Sequence, residues 1–141
     1  MSRIARWLLA GGLLLTTLGA LAERPEAPPS VPGTTKVTAE EVVELVTTHS
    51  DLVVIDSRKP FEYEKGHIQG AHSLVDTDTT PETLAAQVPT KETPVLFYCN
   101  GPKCLRSSNA AKKAVDWGYS QVYWFRGGWS EWTDKQLPVT K

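Results

Sequence analysis

The only two cysteines of this chain stand five residues apart in the stretch Cys99-Asn100-Gly101-Pro102-Lys103-Cys104-Leu105-Arg106-Ser107. The stretch follows an apolar run, Pro94-Val95-Leu96-Phe97-Tyr98, and leads into a helical pattern from Arg106 to about Trp117. A sulfur at such a strand-to-helix junction faces the loop amides and the positive end of the helix macrodipole, both of which stabilise an anion. Lys103 and Arg106 add positive charge nearby, so the Cys99 thiolate is favoured over the thiol and becomes a nucleophile at neutral pH. The same cradle would hold an oxyanion of sulfur or phosphorus. The chemistry implied is transfer of a group from an anionic substrate to Cys99.

Cys104 admits three readings. It could close a static structural bridge to Cys99. It could resolve a persulfide or sulfenate formed on Cys99 and so protect that residue from over-oxidation. Or the pair could exchange electrons with a partner thiol protein. Metal binding is disfavoured, because no histidine lies close in sequence and a structural zinc takes four ligands.

These residues need a scaffold, and the hydrophobic pattern describes one. Thr38-Ala39-Glu40-Glu41 reads as a capping box opening a helix that runs to about Thr48, with Val42, Val43, Leu45 and Val46 as its apolar face. Leu52-Val53-Val54-Ile55 is a short β-branched run suited to a strand covered on both faces. Pro60 opens a short helix through Lys65, Gly66 to Ala71 is a turn-rich connection, and a short strand spans His72 to Val75. Thr80-Pro81 starts another helix with Leu84 and Val88 inward. Val122-Tyr123-Trp124-Phe125 is the last buried strand, and Gly127-Gly128 precedes a closing helix over Trp129 to Lys135. Strands alternating with helices predict an α/β fold with a mainly parallel sheet, in which ligands bind beyond the carboxyl ends of the strands. Ile55 and Tyr98 mark those ends.

Composition restricts the partners. The chain has 141 residues with 15 Lys+Arg against 16 Asp+Glu, so no basic field exists to drive nucleic-acid binding. The first 22 residues depart from this balance. Arg3 and Arg6 precede an apolar stretch, and Ala20-Leu21-Ala22 offers small residues at the positions a signal peptidase reads. The 16 residues from Trp7 to Ala22 fall short of the ~20 a membrane span requires. The expectation is a cleaved signal over residues 1–22, a mature chain of 119 residues starting at Glu23 with net charge −3, and an exported protein, periplasmic or secreted. Only an uncleaved signal segment would hold it to a membrane. Residues 23–33 carry four prolines and read as an extended, solvated linker, with one domain over residues 34–141. A monomer is expected.

Several separated segments, in order, resemble the rhodanese family of sulfurtransferases. Val54-Ile55-Asp56-Ser57-Arg58 with Glu62-Tyr63 and Gly66-His67-Ile68-Gln69-Gly70-Ala71 is similar to that family's early signature. Tyr98-Cys99 through Arg106-Ser107, Ala110-Ala111, Trp117-Gly118-Tyr119, Val122-Tyr123 and Gly127-Gly128-Trp129 to Trp132 resembles its active loop, following helix and closing segment. The resemblance implies a three-layer fold with a small five-stranded parallel sheet flanked by helices. It also implies a cycle without metal or organic cofactor, in which Cys99 takes a sulfane sulfur from an anionic donor such as thiosulfate and yields it to cyanide or a thiol. In that cycle the amides of Asn100, Gly101, Lys103, Cys104 and Leu105, in the loop that Pro102 helps to shape, cradle the persulfide. Arg106 binds the anion, and Arg58 is a further candidate for approaching the substrate. In the family's usual single-domain loop the Arg-Ser pair begins five positions after the cysteine, whereas Arg106 is seven after Cys99. The longer loop puts substrate choice in question and brings phosphoester hydrolysis into consideration, although no acid for the leaving group is evident. The same residues would also suit a periplasmic thiol-disulfide redox protein using Cys99 and Cys104, or a non-catalytic rhodanese-like binding module.

The remaining candidates read as structural. His67 sits in a packed turn rather than serving as a base, and Asp56 anchors a loop through hydrogen bonds. Trp124, Trp129 and Trp132 suit core packing. Gly127-Gly128 allows a tight strand-to-helix turn, and Lys112-Lys113 is a solvated helix face.

Overall fold

The computed structural model describes residues 25–141; the export signal expected over residues 1–22 and the start at Glu23 lie outside the described residues. The chain order is β1 (Thr35–Lys36), α1 (Ala39–Thr48), β2 (Val53–Asp56), α2 (Pro60–Lys65), β3 (His67–Ile68), β4 (His72–Ser73), a 3-10 turn (Asp76–Asp78), α3 (Pro81–Gln87), β5 (Val95–Tyr98), α4 (Arg106–Asp116), β6 (Val122–Phe125), α5 (Gly128–Asp134) and β7 (Val139–Thr140). Five strands form one parallel sheet in the order β1-β6-β5-β2-β4. The two-residue strands β1, β3 and β7 carry too little apolar pattern to be seen in the sequence. β3 pairs antiparallel with β7, which ties the early turn to the chain end.

Side chains alternate across the pleat and build two cores. Ile55, Val95, Phe97, Val122 and Trp124 face one side, packed against Leu84 and Val88 of the α3 segment and Ala110, Ala111 and Ala114 of α4. Val54, Leu96, Tyr98 and Phe125 face the other, against Ala39 and Val42 of α1 and Trp132 of α5. This is the expected three-layer arrangement. In register, Asp56 lies beside Tyr98 and Tyr98 beside Phe125, so β2, β5 and β6 end together. The residues that follow them, Ser57, Cys99 and Arg126, therefore emerge side by side.

Two local expectations are corrected. The segment 23–33, expected as a solvated linker, is docked from Pro25 onward: Ala27 is 3% and Val31 5% exposed, both within the first core. The Ala27 amide donates to the Pro102 carbonyl at 2.6 Å, and Arg126 donates to the carbonyls of Pro28 and Ala27, each at 2.9 Å. Proline richness signalled extended backbone, but two small apolar side chains among the prolines are buried in the core and help to anchor it. The capping of α1 also differs. Thr38 accepts from the Glu41 amide as expected, but the Glu41 carboxylate accepts from the Thr38 hydroxyl instead of a helix-start amide, and it is Glu131 of α5 that accepts from the Ala39 amide at 2.7 Å.

Candidate functional site

Cys99 is the first residue beyond β5 and is 1% exposed. Its sulfur is bonded to that of Cys104, with the two Cα atoms 6.1 Å apart. The loop between them is held from below by α5. The Cys99 carbonyl accepts from the Trp129 amide at 2.8 Å, and the Asn100 carbonyl accepts from the amide and hydroxyl of Ser130, each at 2.9 Å. On the outer side the Asn100 side chain donates to Glu62 at 3.2 Å.

The loop amides expected to form a cradle differ in their partners. Pro102 has no amide hydrogen, and the Cys104 amide closes a turn onto the Gly101 carbonyl at 3.0 Å. Among the described residues, the amides of Asn100, Gly101, Lys103 and Leu105 donate to no protein acceptor. α4 starts at Arg106 with Leu105 as an N-cap that supplies no side-chain acceptor and with no acid in its first turn. Its start is therefore open to a negative group.

Arg106 is half-buried and lines a cavity of about 450 Å³ together with Lys59, Lys103, Cys104 and Pro25. Its guanidinium pairs with Asp76 at 3.4 Å, and Asp76 also accepts from the Asn109 side chain. A second cavity of about 370 Å³ is lined by Glu26, Gly101, Pro102 and Ser130 together with Cys104. Cys104 borders both cavities, whereas Cys99 borders neither. In this oxidised state Cys104 is the half-buried member of the pair and Cys99 the buried one.

Arg58 does not approach the substrate as expected. It is 3% exposed and its guanidinium donates to both Asp56 carboxylate oxygens and to the Gly66 carbonyl. Its outer face lies 4.5 Å from the centroid of the Trp129 ring. The physical reason is Asp56, a fully buried carboxylate at the end of β2 that requires a counter-charge. Burial works against the charge of Arg58, but the hydrogen bonds and charge of Asp56 outweigh it and hold the guanidinium above its ordinary range. Tyr98 completes the cluster by donating to Asp56 at 2.7 Å and accepting from the Ile68 amide at 3.1 Å. Burial first, then the Asp56 charge and hydrogen bond, raise the Tyr98 phenol well above the ordinary tyrosine range. Asp56 thus anchors the loops, as read from the sequence.

His67 stacks on Tyr63 and its Nδ1 lies 2.9 Å from the Tyr63 carbonyl, in keeping with a structural role. Trp124 is fully buried and donates to the Ser107 hydroxyl at 3.0 Å, which ties the start of α4 to the sheet. Lys113 departs from the expected solvated face. Its ammonium donates to the carbonyls of Asp76 and Thr79 and so fixes the turn that carries Asp76.

Sequence reasoning missed Glu62, Asp76, Arg126 and the Pro25–Ala27 strap. Arg126 directly follows β6, so the strand-end rule applied to the third strand as well as the first two would have found it. The others come together only through tertiary contacts.

Comparison with known proteins agrees with this architecture. The family model described as rhodanese-like domain matches residues 38–135. Over 137 residues the chain is 26% identical to the uncharacterized protein YibN of Escherichia coli (strain K12), covering 96% of this chain and 87% of that protein. It is 28% identical over 82 residues to the thiosulfate sulfurtransferase GlpE of Pseudoalteromonas translucida, covering 58% of this chain and 73% of that one. Among solved structures, the BH2092 protein from Bacillus halodurans shares the fold with a TM-score of 0.67 at 24% identity, over 76% of this chain and 77% of that one.

Proposed function

Because the chain belongs to the rhodanese-like domain family, we propose that it is a sulfurtransferase whose nucleophile is Cys99 in the reduced state of the loop. The Cys99 thiolate attacks the outer sulfur of a donor such as thiosulfate. The sulfur–sulfur bond breaks, and sulfite leaves with the electron pair. A thiophilic acceptor, cyanide or a thiol, then attacks the outer sulfur of the persulfide and returns Cys99 as a thiolate. The free amides of Asn100, Gly101, Lys103 and Leu105 and the open start of α4 stabilise the anionic sulfur, while Arg106 and Lys103 attract the donor.

The observation that carries this reading is the position of Cys99, at the carboxyl end of the central strand, at the start of a loop in which four amides have no protein acceptor. Some relatives carry the name thiosulfate sulfurtransferase, in support of the same chemistry. The reading places the reaction outside the cytoplasm, where the signal pattern over residues 1–22 would deliver the chain. N-terminal sequencing of the native protein should then start at Glu23. The activity is tested by incubating the reduced protein with thiosulfate and cyanide. Thiocyanate should form with wild type and not with Cys99→Ser. Equal rates for the two proteins would sink the assignment.

A second reading, thiol-disulfide exchange with a partner protein, is favoured by the Cys99–Cys104 bond itself. It is distinguished by a reversible potential in dithiol buffers and by disulfide transfer without any sulfur donor.

A further inference from the structure

Two observations about the loop belong together. The sulfur of Cys104 reaches that of Cys99 closely enough to bond to it, and Cys104 is the one of the two that borders open cavities. We propose that the protein has a further activity, reductive release of sulfide from a sulfane sulfur donor, with Cys104 as the intramolecular reductant. The proposal rests on the persulfide reading of Cys99.

The step is defined by which sulfur is attacked. In a transferase cycle an external acceptor attacks the outer sulfur of the persulfide. Cys104 instead attacks the inner one, Cys99 Sγ, the atom to which it is bonded in this structure. The bond between Cys99 Sγ and the outer sulfur breaks, and the outer sulfur departs with the electron pair. It takes the proton of the Cys104 thiol and leaves as hydrosulfide. A Cys99–Cys104 disulfide remains. With thiosulfate as donor, the two thiols lose two electrons, the sulfane sulfur gains them, and sulfite and hydrosulfide are the products.

The oxidised state is then the product of one turnover, and its geometry favours its own reduction. Cys104 lines both cavities and is the residue an external dithiol would meet, while Cys99 is almost fully buried. Attack at Cys104 expels Cys99 as a thiolate beside the loop amides and the start of α4, where its charge is best stabilised, and the better-stabilised thiolate is the faster leaving group. The second thiol of the dithiol frees Cys104. Because Cys104 is held on the same loop by the Cys104 amide to Gly101 carbonyl bond, it acts as an intramolecular nucleophile and competes well against dilute external acceptors.

The experiment is a single turnover of the full chain, reduced, freed of reductant and mixed with thiosulfate alone. Sulfite, sulfide and intact mass are followed. Wild type should release equal amounts of sulfite and sulfide and end as a chain lacking two hydrogens, with no lasting persulfide. Cys104→Ser and Cys104→Ala should release sulfite, keep the extra sulfur on Cys99, and yield sulfide at least about tenfold more slowly. A wild-type chain that keeps the persulfide and releases no sulfide would overturn the inference while leaving sulfur transfer intact, as would equal sulfide release by the Cys104 variants. Absence of sulfite from every form would overturn both the inference and the sulfurtransferase reading.

Discussion

Gly128 lies directly against Cys99: a Cβ on Gly128 would overlap the Cys99 carbonyl oxygen and stand 3.0 Å from its carbonyl carbon. Gly128 also has φ +55°, a region that costs an L side chain energy by itself. The start of α5 can support the loop at this short range only because residue 128 has no side chain. Gly128→Ala should therefore lower stability by about 3 kcal/mol, combining backbone strain with overpacking. It should also weaken the Trp129 amide to Cys99 carbonyl bond and reduce sulfur transfer. Urea unfolding followed through the tryptophans measures the first effect. An unchanged midpoint would show that loop and helix can separate without loss.

Asp56 predicts a stability loss and a pH dependence. Asp56→Asn leaves the buried Arg58 guanidinium with a neutral partner and should destabilise by about 3–5 kcal/mol, the usual range for a broken buried pair. The Tyr98 phenol, raised above its ordinary value by burial and then by Asp56, stays neutral in the folded chain while an unfolded tyrosine ionises near ~10. The folded state then holds the extra proton, so this contribution is complete below that pH and is lost as pH rises from there toward the folded value. Wild type should lose stability above about pH 10 by up to ~1.4 kcal/mol per pH unit from this group. Tyr98→Phe should flatten that slope, and an identical slope in both proteins would remove Tyr98 as its source.

Arg106 and Asp76 should act in opposite directions on donor binding. Arg106→Gln removes the cation at the mouth of the cavity and should raise the KM for thiosulfate about tenfold, with a smaller change in kcat. Asp76→Asn removes the competing carboxylate 3.4 Å from the guanidinium and should lower KM. Both effects should shrink at high salt, because the pair is partly solvated. A KM unmoved by either substitution would take Arg106 out of the binding role.

The sheet and its helices were legible because short β-branched runs alternate with capped amphipathic segments, and this pattern is local. Cys99 was legible because strand, loop and helix follow one another directly in the sequence. Arg58 was misread for a related reason: its place after a strand end marks it as near the site, but only the tertiary fold shows Asp56 and Gly66 engaging its Nε and one terminal nitrogen in the interior. Lys113 was misread as solvated because its acceptors, the Asp76 and Thr79 carbonyls, lie more than thirty residues earlier in the chain. The docking of residues 25–33 was hidden among prolines whose composition resembles that of a free linker.

That docking depends on Arg126. Its planar guanidinium bridges two successive carbonyls, Ala27 and Pro28, and the strap thus held places Pro25 in the wall of the first cavity and Glu26 in that of the second, which Cys104 also lines. A lysine, with a single ammonium on a flexible stem, cannot span both carbonyls in the same way. Arg126→Ala should release the strap, lower stability by about 1–2 kcal/mol and expose residues 25–33 to proteases, with Arg126→Lys intermediate. Limited proteolysis with mass analysis of the fragments locates the cuts. Loss of the Pro25 wall should also make the Cys99–Cys104 bond easier to reduce by bulky thiols than it is in wild type. If Arg126→Ala matched wild type in both cleavage and reduction rate, burial of Ala27 and Val31 alone would hold the strap, and Arg126 would have no part in shaping access to the loop.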